Sequence, residues 1–466
     1  MAETLTENDP VARPILVDVL AVVLRYDDLL ADDPGLYWLD GKTPVRLARG
    51  EGGLSRSRMM AGQVLELPDS WVSSQHAVLE PLPEGGYRVV DQGSRNGTQV
   101  CGRPVQSEPL RDRDLIEVGH TLLCYRRVDR RLVQLLSAAP DGVWLGPTAT
   151  RTPELAETVR QLEAIARTRE PVLVLGETGS GKEIVARALH QLSGRAGPFR
   201  AIDCGAIPEG LLESVLFGHR RGAFTGAQEP RTGELVAADG GTILLDEIAN
   251  MGEAAQAKFL RCLETGVVTP LGTSEERSVD VRVVAATNRD ILGDGQGFRL
   301  DLLGRLAGFV ARLPPLRHRR EDLGTLSRFF LLERGVKKAS IRTAAARQLY
   351  CSSLPGNVRQ LRAVLRSASV LAGEQPIELN HLPPPEAFEQ LRRRRRRDGA
   401  GRRRPEAQAR SARDRRRARE HRGERRPGGP DPGSPSAAAL PLDGARGDRP
   451  RSLPAREGLS PTDSPI

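Results

Sequence analysis

A glycine-rich loop in the middle of the chain has the composition of a phosphate-binding site. It follows the apolar run 171–175 and precedes a helical pattern at 184–191, which is the strand, loop and helix context that such a loop needs. Its glycines let backbone amides converge on phosphate oxygens, and its lysine can neutralise the outer phosphates. We expect a nucleotide to bind here, through Gly176, Glu177, Thr178, Gly179, Ser180, Gly181, Lys182 and Glu183.

Two adjacent carboxylates, Asp246 and Glu247, end an apolar run downstream of this loop. A carboxylate pair that stands alone is more often a solvated strand end than a catalytic site. After a phosphate loop, the pair is typical of a site in which Asp246 holds magnesium and Glu247 polarises the attacking water. The two motifs together predict an ATPase whose cofactors are ATP and Mg²⁺.

The elements that must position these groups differ along the chain. Up to about residue 125, short alternating apolar runs and turn signals predict a small all-β domain. From about residue 143 to 371, apolar runs such as 172–175, 243–245 and 281–286 alternate with segments of helix length. Runs this uniformly apolar predict a parallel sheet that is covered by helices on both faces.

A six-residue motif, Gly222-Ala-Phe-Thr-Gly-Ala227, follows Glu213 and Leu216-Phe-Gly-His219. It resembles the GAFTGA loop of sigma-54-dependent transcriptional activators, which are AAA+ ATPases that remodel RNA polymerase. The phosphate loop resembles the same family, because Glu183 stands where the generic motif has Ser or Thr. The resemblance extends from about residue 143 to 371. It implies a sigma-54 contact loop made of Gly222, Ala223, Phe224, Thr225, Gly226 and Ala227.

The same resemblance implies roles for residues in later motifs. Thr287 and Asn288 would read the γ-phosphate, and Arg359 would contact bound nucleotide from a helical lid. Arg299 and Arg305 would be arginine fingers that reach the nucleotide of the neighbouring subunit in a ring, which the family forms as a hexamer. The implied catalytic set is Asp246, Glu247, Asn288, Arg299 and Arg305, with Asp246 as the metal ligand.

The chain departs from the family pattern at a few positions outside this set. Asp203 stands where the family usually has an Asn that holds the glutamate corresponding to Glu247 in a resting pose. We therefore expect Asp203 to repel Glu247 instead of donating a hydrogen bond. Leu354 replaces the usual Trp of the lid motif, and Arg220 and Arg221 replace an acidic residue and a lysine.

Two motifs near the N-terminus, Ser73-Ser-Gln-His76 and Asp91-Gln-Gly-Ser-Arg-Asn96-Gly-Thr98, resemble the forkhead-associated (FHA) domain, which binds phosphothreonine. The resemblance covers about residues 44–124. It implies that Arg56 and Ser73 hold the phosphate, that Asn96 holds the peptide backbone, and that His76 is a structural brace. An arginine with a hydroxyl suits a doubly charged phosphate. The alternative is an ordinary β-sandwich in which Asn-Gly is only a turn signal.

Positive charge is concentrated at the C-terminal end. Residues 391–466 contain 22 arginines, no lysine and 10 acidic residues, so they carry 22 − 10 = +12, and the first 390 residues carry +9 − 12 = −3. The protein as a whole is therefore not a basic nucleic-acid binder. The C-terminal segment has no aromatic residue and few large apolar ones, so we expect it to be disordered. Without a helix-turn-helix pattern, it is either an arginine-rich arm that contacts DNA non-specifically or the product of a frameshift.

The five cysteines lie far apart without a C-x-x-C pair, which excludes a disulfide-framed secreted domain and the usual structural zinc patterns. The first ten residues lack the basic and apolar regions of a signal peptide, and the run 15–24 is too short to span a bilayer. We therefore expect a soluble, cytoplasmic protein.

These observations predict a multidomain chain that combines an all-β FHA-like sandwich, an α/β AAA+ P-loop domain with a helical lid, and a disordered tail. The expected divisions are an N-terminal extension (1–22), the FHA-like domain (23–126), a linker (127–142), the AAA+ core (143–315), the lid (316–383) and the tail (384–466). The predicted function is ATP-dependent activation of sigma-54 RNA polymerase, regulated by phosphothreonine binding. The alternatives are an AAA+ remodeller of another target and an FHA phosphopeptide adaptor with a vestigial ATPase.

Overall fold

The computed structural model describes residues 14–31, 35–50, 58–60, 64–137, 143–145, 148–293, 297–384 and 386–387. Arg56 and the arginine-rich segment 391–466 lie outside the described residues, so what we expect of them stays a prediction.

The N-terminal region is an all-β sandwich, as predicted. Its strands are β1 (Leu16–Arg25), β2 (Leu36–Leu39), β3 (Val45–Arg49), β4 (Arg58–Met60), β5 (Val64–Leu67), β6 (Ala77–Pro81), β7 (Tyr87–Asp91), β8 (Thr98–Val100), β9 (Arg103–Val105), β10 (Ser107–Pro109), β11 (Leu115–Val118) and β12 (Thr121–Asp129). They form one sheet in the order β4-β2-β1-β12-β11-β8-β9 and a second in the order β10-β7-β6-β3-β5. Leu20 and Leu123 from the first sheet share a core with Leu47 and Leu79 from the second.

The first strand begins at Leu16, inside the range 1–22 for which we expected an N-terminal extension. β1 pairs antiparallel with β12 over its whole length and lies in the interior of the larger sheet. Asp18, the one charged residue in the middle of its apolar run, is buried and accepts a hydrogen bond from the Tyr125 hydroxyl. Asp18 can therefore lie in a buried strand, because the hydroxyl of Tyr125 satisfies the Asp18 carboxylate.

The linker expected at 127–142, between the sandwich and the AAA+ core, is partly helical. β12 continues to Asp129, and a helix begins at the next residue. A short hairpin and a longer helix lead into the core. These elements are α1 (Arg130–Ser137), β13 (Val143–Leu145), β14 (Thr148–Thr150) and α2 (Pro153–Ala166).

The central region is a five-stranded parallel sheet between helices, as predicted. The strands of this region are β15 (Val172–Gly176), β16 (Phe199–Asp203), β17 (Gly218–His219), β18 (Arg231–Thr232), β19 (Thr242–Asp246), β20 (Val267–Val268), β21 (Arg277–Ser278), β22 (Arg282–Thr287) and β23 (Phe309–Leu313). The parallel sheet has the order β16-β19-β22-β15-β23, and β17 with β18 and β20 with β21 form two small hairpins. Val172 and Val174 face one core and Leu173 and Leu175 face the other, so both faces of the sheet are covered.

The helices after the phosphate loop divide into core and lid. They are α3 (Lys182–Ser193), α4 (Glu209–Phe217), α5 (Glu234–Ala237), α6 (Glu253–Thr265), α7 (Leu300–Leu306), α8 (Leu323–Glu333), α9 (Thr343–Tyr350) and α10 (Asn357–Ala372). Helices α8, α9 and α10 form the lid, which follows β23. Across the part of the chain that the structure describes, no helix is long and apolar enough to cross a membrane.

Candidate active site

The phosphate loop joins β15 to α3 at the carboxyl edge of the parallel sheet, beside the ends of β22 and β19. Gly179 and Gly181 have φ values of +77° and +110°, which side chains on L-residues rarely permit. A Cβ on Gly179 would also overlap the carbonyl oxygen of Gly356 in the lid. Glycine at 179 therefore serves both the turn and the close approach of the lid.

Lys182 is the buried cation of this loop. Its ammonium group donates to the carbonyl of Gly176 at 3.1 Å and lies 3.4 Å from a carboxylate oxygen of Glu247. The hydroxyl of Ser180 is buried and has no hydrogen-bond partner among the described residues. A buried ammonium and an unused hydroxyl in a loop of glycines fit the oxygens of a nucleotide phosphate.

Asp246 and Glu247 stand at the end of β19, and the backbone holds both in place. Asp246 Oδ1 accepts a hydrogen bond from the amide of Glu247 at 2.9 Å, and burial raises the pKa of Asp246. Glu247 has φ +50°, a left-handed conformation that is strained for a glutamate and typical of functional positions. Its Oε2 accepts from the amide of Asn288 at 3.2 Å.

Asn288 links the end of β22 to the phosphate loop. Its side-chain amide donates to the hydroxyl of Thr178 at 3.0 Å, while its backbone amide binds Glu247. The fold therefore brings together Lys182, Glu247 and Asn288, which lie far apart in the chain. Asn288 therefore contacts both the Glu247 carboxylate and the glycine-rich loop.

The carboxylate of Asp246 is suited to bind a magnesium ion whose other ligands include phosphate oxygens. Magnesium sites in nucleotide enzymes use one or two carboxylates together with phosphates and water. In the described ranges there is no group of three His, Cys, Asp or Glu residues that could hold a metal by itself. A single half-buried carboxylate at the strand end fits this arrangement, and magnesium binding by Asp246 stays a prediction.

Asp203 lies beside Asp246, since the two end neighbouring parallel strands in register. One of its carboxylate oxygens accepts from the amide of Gly205 at 2.8 Å. Burial is the largest cause of the raised pKa of Asp246, and the negative charge of Asp203 adds a smaller contribution. The carboxylate of Glu247 accepts hydrogen bonds from Lys182, Thr287 and Asn288, and repulsion between Asp203 and Glu247 stays a prediction.

A contact that the sequence analysis did not single out fixes the lid against the phosphate loop. Asn357, at the start of α10, is fully buried with φ +55°. Its amide donates to Glu177 Oε2 and to the carbonyl of Thr178, both at 3.0 Å. Arg317 binds the same carboxylate through two nitrogens, at 2.9 and 3.1 Å. The Pro-Gly-Asn sequence before a helical pattern was the available signal, because Asn tolerates this left-handed geometry.

Arg359 is the third residue of α10 and lies beside these contacts. Its backbone amide donates to the carbonyl of Gly179 at 3.4 Å, so the residue is adjacent to the phosphate loop, as its predicted role requires. A nucleotide contact by its guanidinium group stays a prediction.

Arg299 immediately precedes α7 and Arg305 lies in its last turn, both on the surface. Arg299 pairs with Asp301 at 2.6 Å, and this bond lowers the pKa of Asp301 to about 2. Arg305 pairs with Glu264 at 3.6 Å. Both arginines bind other surface carboxylates and not the phosphate loop of their own subunit, in the contacts that the structure describes. Exposed pairs of this kind are weak, so the arginines can exchange partners easily.

The GAFTGA loop connects the strands of the β17–β18 hairpin. The amide of Gly222 donates to the carbonyl of Ala227 at 2.8 Å and closes the loop. Phe224 is about one-third exposed, and its ring lies edge-on against His219 with 5.0 Å between centroids. Ala223 packs on Gly272 of the neighbouring β20–β21 loop. The apolar tip is therefore partly sheltered by its own base.

In the N-terminal sandwich, Ser73 and Asn96 lie next to each other. The hydroxyl of Ser73 accepts from the amide of Arg95 at 3.2 Å, and Asn96 donates to the carbonyl of Trp71 at 2.7 Å. His76 accepts from the amide of Ser73 and binds the carbonyl of Gly97, so it braces the two loops. Burial lowers the pKa of His76, which keeps the ring neutral for this role. Arg56, the predicted partner of Ser73, lies outside the described residues.

Three family models match the chain. The sigma-54 interaction domain matches residues 148–311, the AAA+ ATPase lid domain matches 317–398, and the FHA domain matches 57–119. The first two cover the phosphate loop, the carboxylate pair, the arginines of α7 and the lid contacts. The third covers Ser73, His76 and Asn96.

Several regulatory proteins are similar to this chain. The transcriptional regulatory protein FlbD of Caulobacter vibrioides is 37% identical over 306 residues, which are 64% of this chain and 67% of FlbD. The C4-dicarboxylate transport regulator DctD of Rhizobium meliloti is 47% identical over 241 residues, which are 50% of this chain and 52% of DctD. A solved structure of NtrX from Brucella abortus with ATP is 31% identical, with a TM-score of 0.47, and the match covers 54% of this chain and 57% of that one.

The match with FlbD spans two thirds of that protein, whereas the chain covers about half of DctD. The family models place the sigma-54 interaction domain and its lid on the α/β region, with the FHA domain before them. The chain therefore belongs to the sigma-54-dependent transcriptional activators of the AAA+ family, and it carries an N-terminal FHA domain.

Proposed function

We propose that the protein hydrolyses ATP between neighbouring subunits of a hexameric ring and uses this reaction to remodel sigma-54 RNA polymerase. We further propose that a phosphothreonine-containing partner regulates it through the FHA domain. The convergence of Lys182, Glu247 and Asn288 on one phosphate loop is the observation that supports hydrolysis best. Such a protein would act in the cytoplasm, where bacterial RNA polymerase works.

The chemistry follows from the present partners of each group. Lys182 would exchange the Glu247 carboxylate for the β- and γ-phosphates, which leaves Glu247 free to accept a hydrogen bond from the attacking water. The amide of Asn288 would keep the carboxylate oriented. Magnesium, held by Asp246, would neutralise charge on the phosphates. The side-chain amide of Asn288 would give up its hydrogen bond to Thr178 and donate to the γ-phosphate instead. Its conformation would then depend on whether the γ-phosphate is present.

The contact with sigma-54 would be made by the GAFTGA loop. Gly222 and Gly226 have positive φ values, which allow the loop to change its path, and Phe224 with Thr225 offers an apolar tip with one hydroxyl. The half-sheltered ring of Phe224 would leave His219 and bind the partner when hydrolysis moves the loop. A glycine-bounded loop with an apolar tip suits a contact surface better than a purely structural turn.

Substituting Thr225→Ala is expected to leave ATP hydrolysis within about twofold of wild type and to abolish sigma-54 binding and open-complex formation. The hydroxyl lies on the contact loop and none of the bonds at the nucleotide site involves it. Hydrolysis is measured by phosphate release, and open complexes by permanganate footprinting at a sigma-54 promoter.

The matched control is Thr265→Ala, which removes an exposed threonine at the end of α6. This variant should keep both activities. Wild-type transcription by Thr225→Ala would exclude this contact and direct the ATPase to another target.

The FHA domain would bind phosphothreonine with Ser73 and Arg56 on the phosphate and Asn96 on the peptide backbone. The adjacency of Ser73 and Asn96 supports this arrangement. His76 fixes the geometry by bridging the two loops, so a peptide would meet a site that is already assembled.

Substituting Asn96→Ala is expected to weaken phosphothreonine-peptide binding about five- to thirtyfold, because a lost hydrogen bond to a peptide backbone corresponds to about 1–2 kcal/mol. Calorimetry with a phosphothreonine peptide selected from a randomised pool measures the effect. Gln106→Ala, an exposed amide elsewhere in the same domain, is the matched control. Equal binding of the phosphorylated and unphosphorylated peptides would leave the FHA fold without this function.

A further inference from the structure

The connector between the AAA+ core and the lid contacts the phosphate loop directly. We define the core–lid connector as residues 316–322, between β23 and α8. Besides the two bonds from Arg317 to Glu177, Arg319 donates to the carbonyl of Ser180 at 3.4 Å. The amide of Leu316 donates to the side-chain oxygen of Asn357 at 2.8 Å. The position of this connector is therefore tied to the position of the loop that binds nucleotide.

Three other residues of the same connector contact the FHA domain. Arg113 donates to the carbonyl of His318 at 3.3 Å, and Arg320 donates to the carbonyl of Arg113 at 3.5 Å. Glu321 forms an ion pair with Arg126 of β12, and both side chains are 1% exposed. Arg126 also pairs with Asp112 and Glu154, whereas Glu321 without Arg126 would be a buried, unpaired charge, so this pair holds the connector to the domain.

The FHA domain also binds the lid itself. The amide of Leu29 donates to the carbonyl of Ala339, and the amide of Ile341 donates to the carbonyl of Tyr26, both at 2.8 Å. On α9, Arg347 lies 2.6 Å from the buried carboxylate of Glu117 in β11. The sandwich and the lid are therefore joined by two backbone hydrogen bonds and one ion pair.

The same face continues to the predicted peptide site. The amide of Tyr26 donates to the carbonyl of His120 at 2.7 Å. The ring of His120 is stacked on the exposed indole of Trp71, with 4.5 Å between centroids. The carbonyl of Trp71 accepts the side-chain bond from Asn96. A peptide that binds Asn96 would remove the bond from Asn96 to Trp71. Trp71 contacts His120, and His120 contacts Tyr26, which binds the lid.

We propose that this interface couples the two ligand sites, so that nucleotide at the phosphate loop and a phosphothreonine peptide at Ser73 and Asn96 change each other's affinity. The part that concerns the peptide rests on the proposed function of the FHA domain. The physical basis is that the core–lid connector cannot move with the phosphate loop without straining its bonds to the FHA domain. Coupling between sites is reciprocal, and typical couplings are about 5- to 150-fold in affinity.

The first test needs no peptide. The affinity of the full-length protein for ADP is measured with a fluorescent ADP analogue, in wild type and in Arg347→Glu, Glu117→Arg and the double variant. We expect each single variant to change ADP affinity at least fivefold and the double variant to return it to within twofold. Arg362→Glu is the matched control, since Arg362 pairs with Glu333 inside the lid at 2.8 Å and should leave ADP affinity unchanged. Wild-type ADP affinity in folded single variants would overturn the proposal.

The second test uses the unaltered protein, so it does not depend on whether a variant folds. ADP affinity is measured with and without a saturating phosphothreonine peptide, and peptide affinity with and without ADP. We expect both to change by the same factor, fivefold or more. A peptide that binds without changing ADP affinity would overturn the coupling and leave the FHA function intact. If no peptide binds, the FHA function fails, and the charge-exchange variants decide the coupling.

Discussion

Substituting Glu247→Gln should leave ATP binding close to wild type and lower the rate of hydrolysis by about 10²- to 10⁴-fold, the range expected for loss of a group that accepts a proton or orients water. The glutamine is isosteric, and its oxygen can still accept the bond from the amide of Asn288. It lacks the negative charge that holds the attacking water. Nucleotide binding persists because Lys182 and the loop amides are unchanged.

Binding is measured by titration with a fluorescent ATP analogue, and turnover by phosphate release at saturating ATP. Lys182→Ala should show the complementary defect, since it removes the buried cation and should lose binding itself. Glu163→Gln, on the exposed face of α2, is the matched control for the chemical change and should behave as wild type. Turnover in Glu247→Gln within about tenfold of wild type would exclude this catalytic role.

Substituting Arg299→Ala should lower hydrolysis by about 10³-fold or more, because arginine fingers contribute about 10³- to 10⁵-fold in related phosphoryl transfers. Arg299 and Arg305 bind surface carboxylates of their own subunit and lie on the exposed side of α7. Leu300, between them, is 80% exposed, which suits a surface that a second subunit covers. Specific activity should therefore rise steeply with protein concentration, as monomers form rings.

Mixing two inactive variants tests whether the finger acts on the neighbouring subunit. In a head-to-tail ring made of equal parts of Glu247→Gln and Arg299→Ala, about one site in four combines an intact glutamate with an intact finger. Activity should therefore reappear on mixing. Arg169→Ala, which removes an exposed arginine paired with Asp280, is the matched control and should remain fully active alone. A mixture that stays inactive, or a specific activity that is constant down to monomer concentrations, would contradict fingers in trans.

Much of the nucleotide site could be predicted from sequence because its motifs are short and continuous. The glycines and Lys182 occupy one loop, Asp246 and Glu247 are adjacent, and Thr287 and Asn288 stand at the end of a mostly apolar strand. Parallel strands bring their carboxyl ends to one edge, so motifs at strand ends meet whatever lies between them in the chain. The parallel sheet, the β-sandwich and the family all follow from such local patterns.

Residues whose partners are distant could not be assigned in this way. Asp18 lies buried in an apolar run, and the hydrogen bond that satisfies its carboxylate comes from Tyr125, 107 positions away. Asn357 lies 180 positions from Glu177, and nothing local in either segment indicates that they share a hydrogen bond. These pairs depend on how separate elements pack, and packing is a property of the whole chain.

The amino-acid sequence by itself determined the family, the order of the domains and the groups expected to perform the chemistry. Only the tertiary structure decided which surface of the FHA domain meets the lid, and that the core–lid connector touches both this domain and the phosphate loop. The buried pair of Arg126 and Glu321 makes the reason plain. Each residue alone reads as an ordinary surface charge, and burial becomes favourable only when folding supplies the opposite charge.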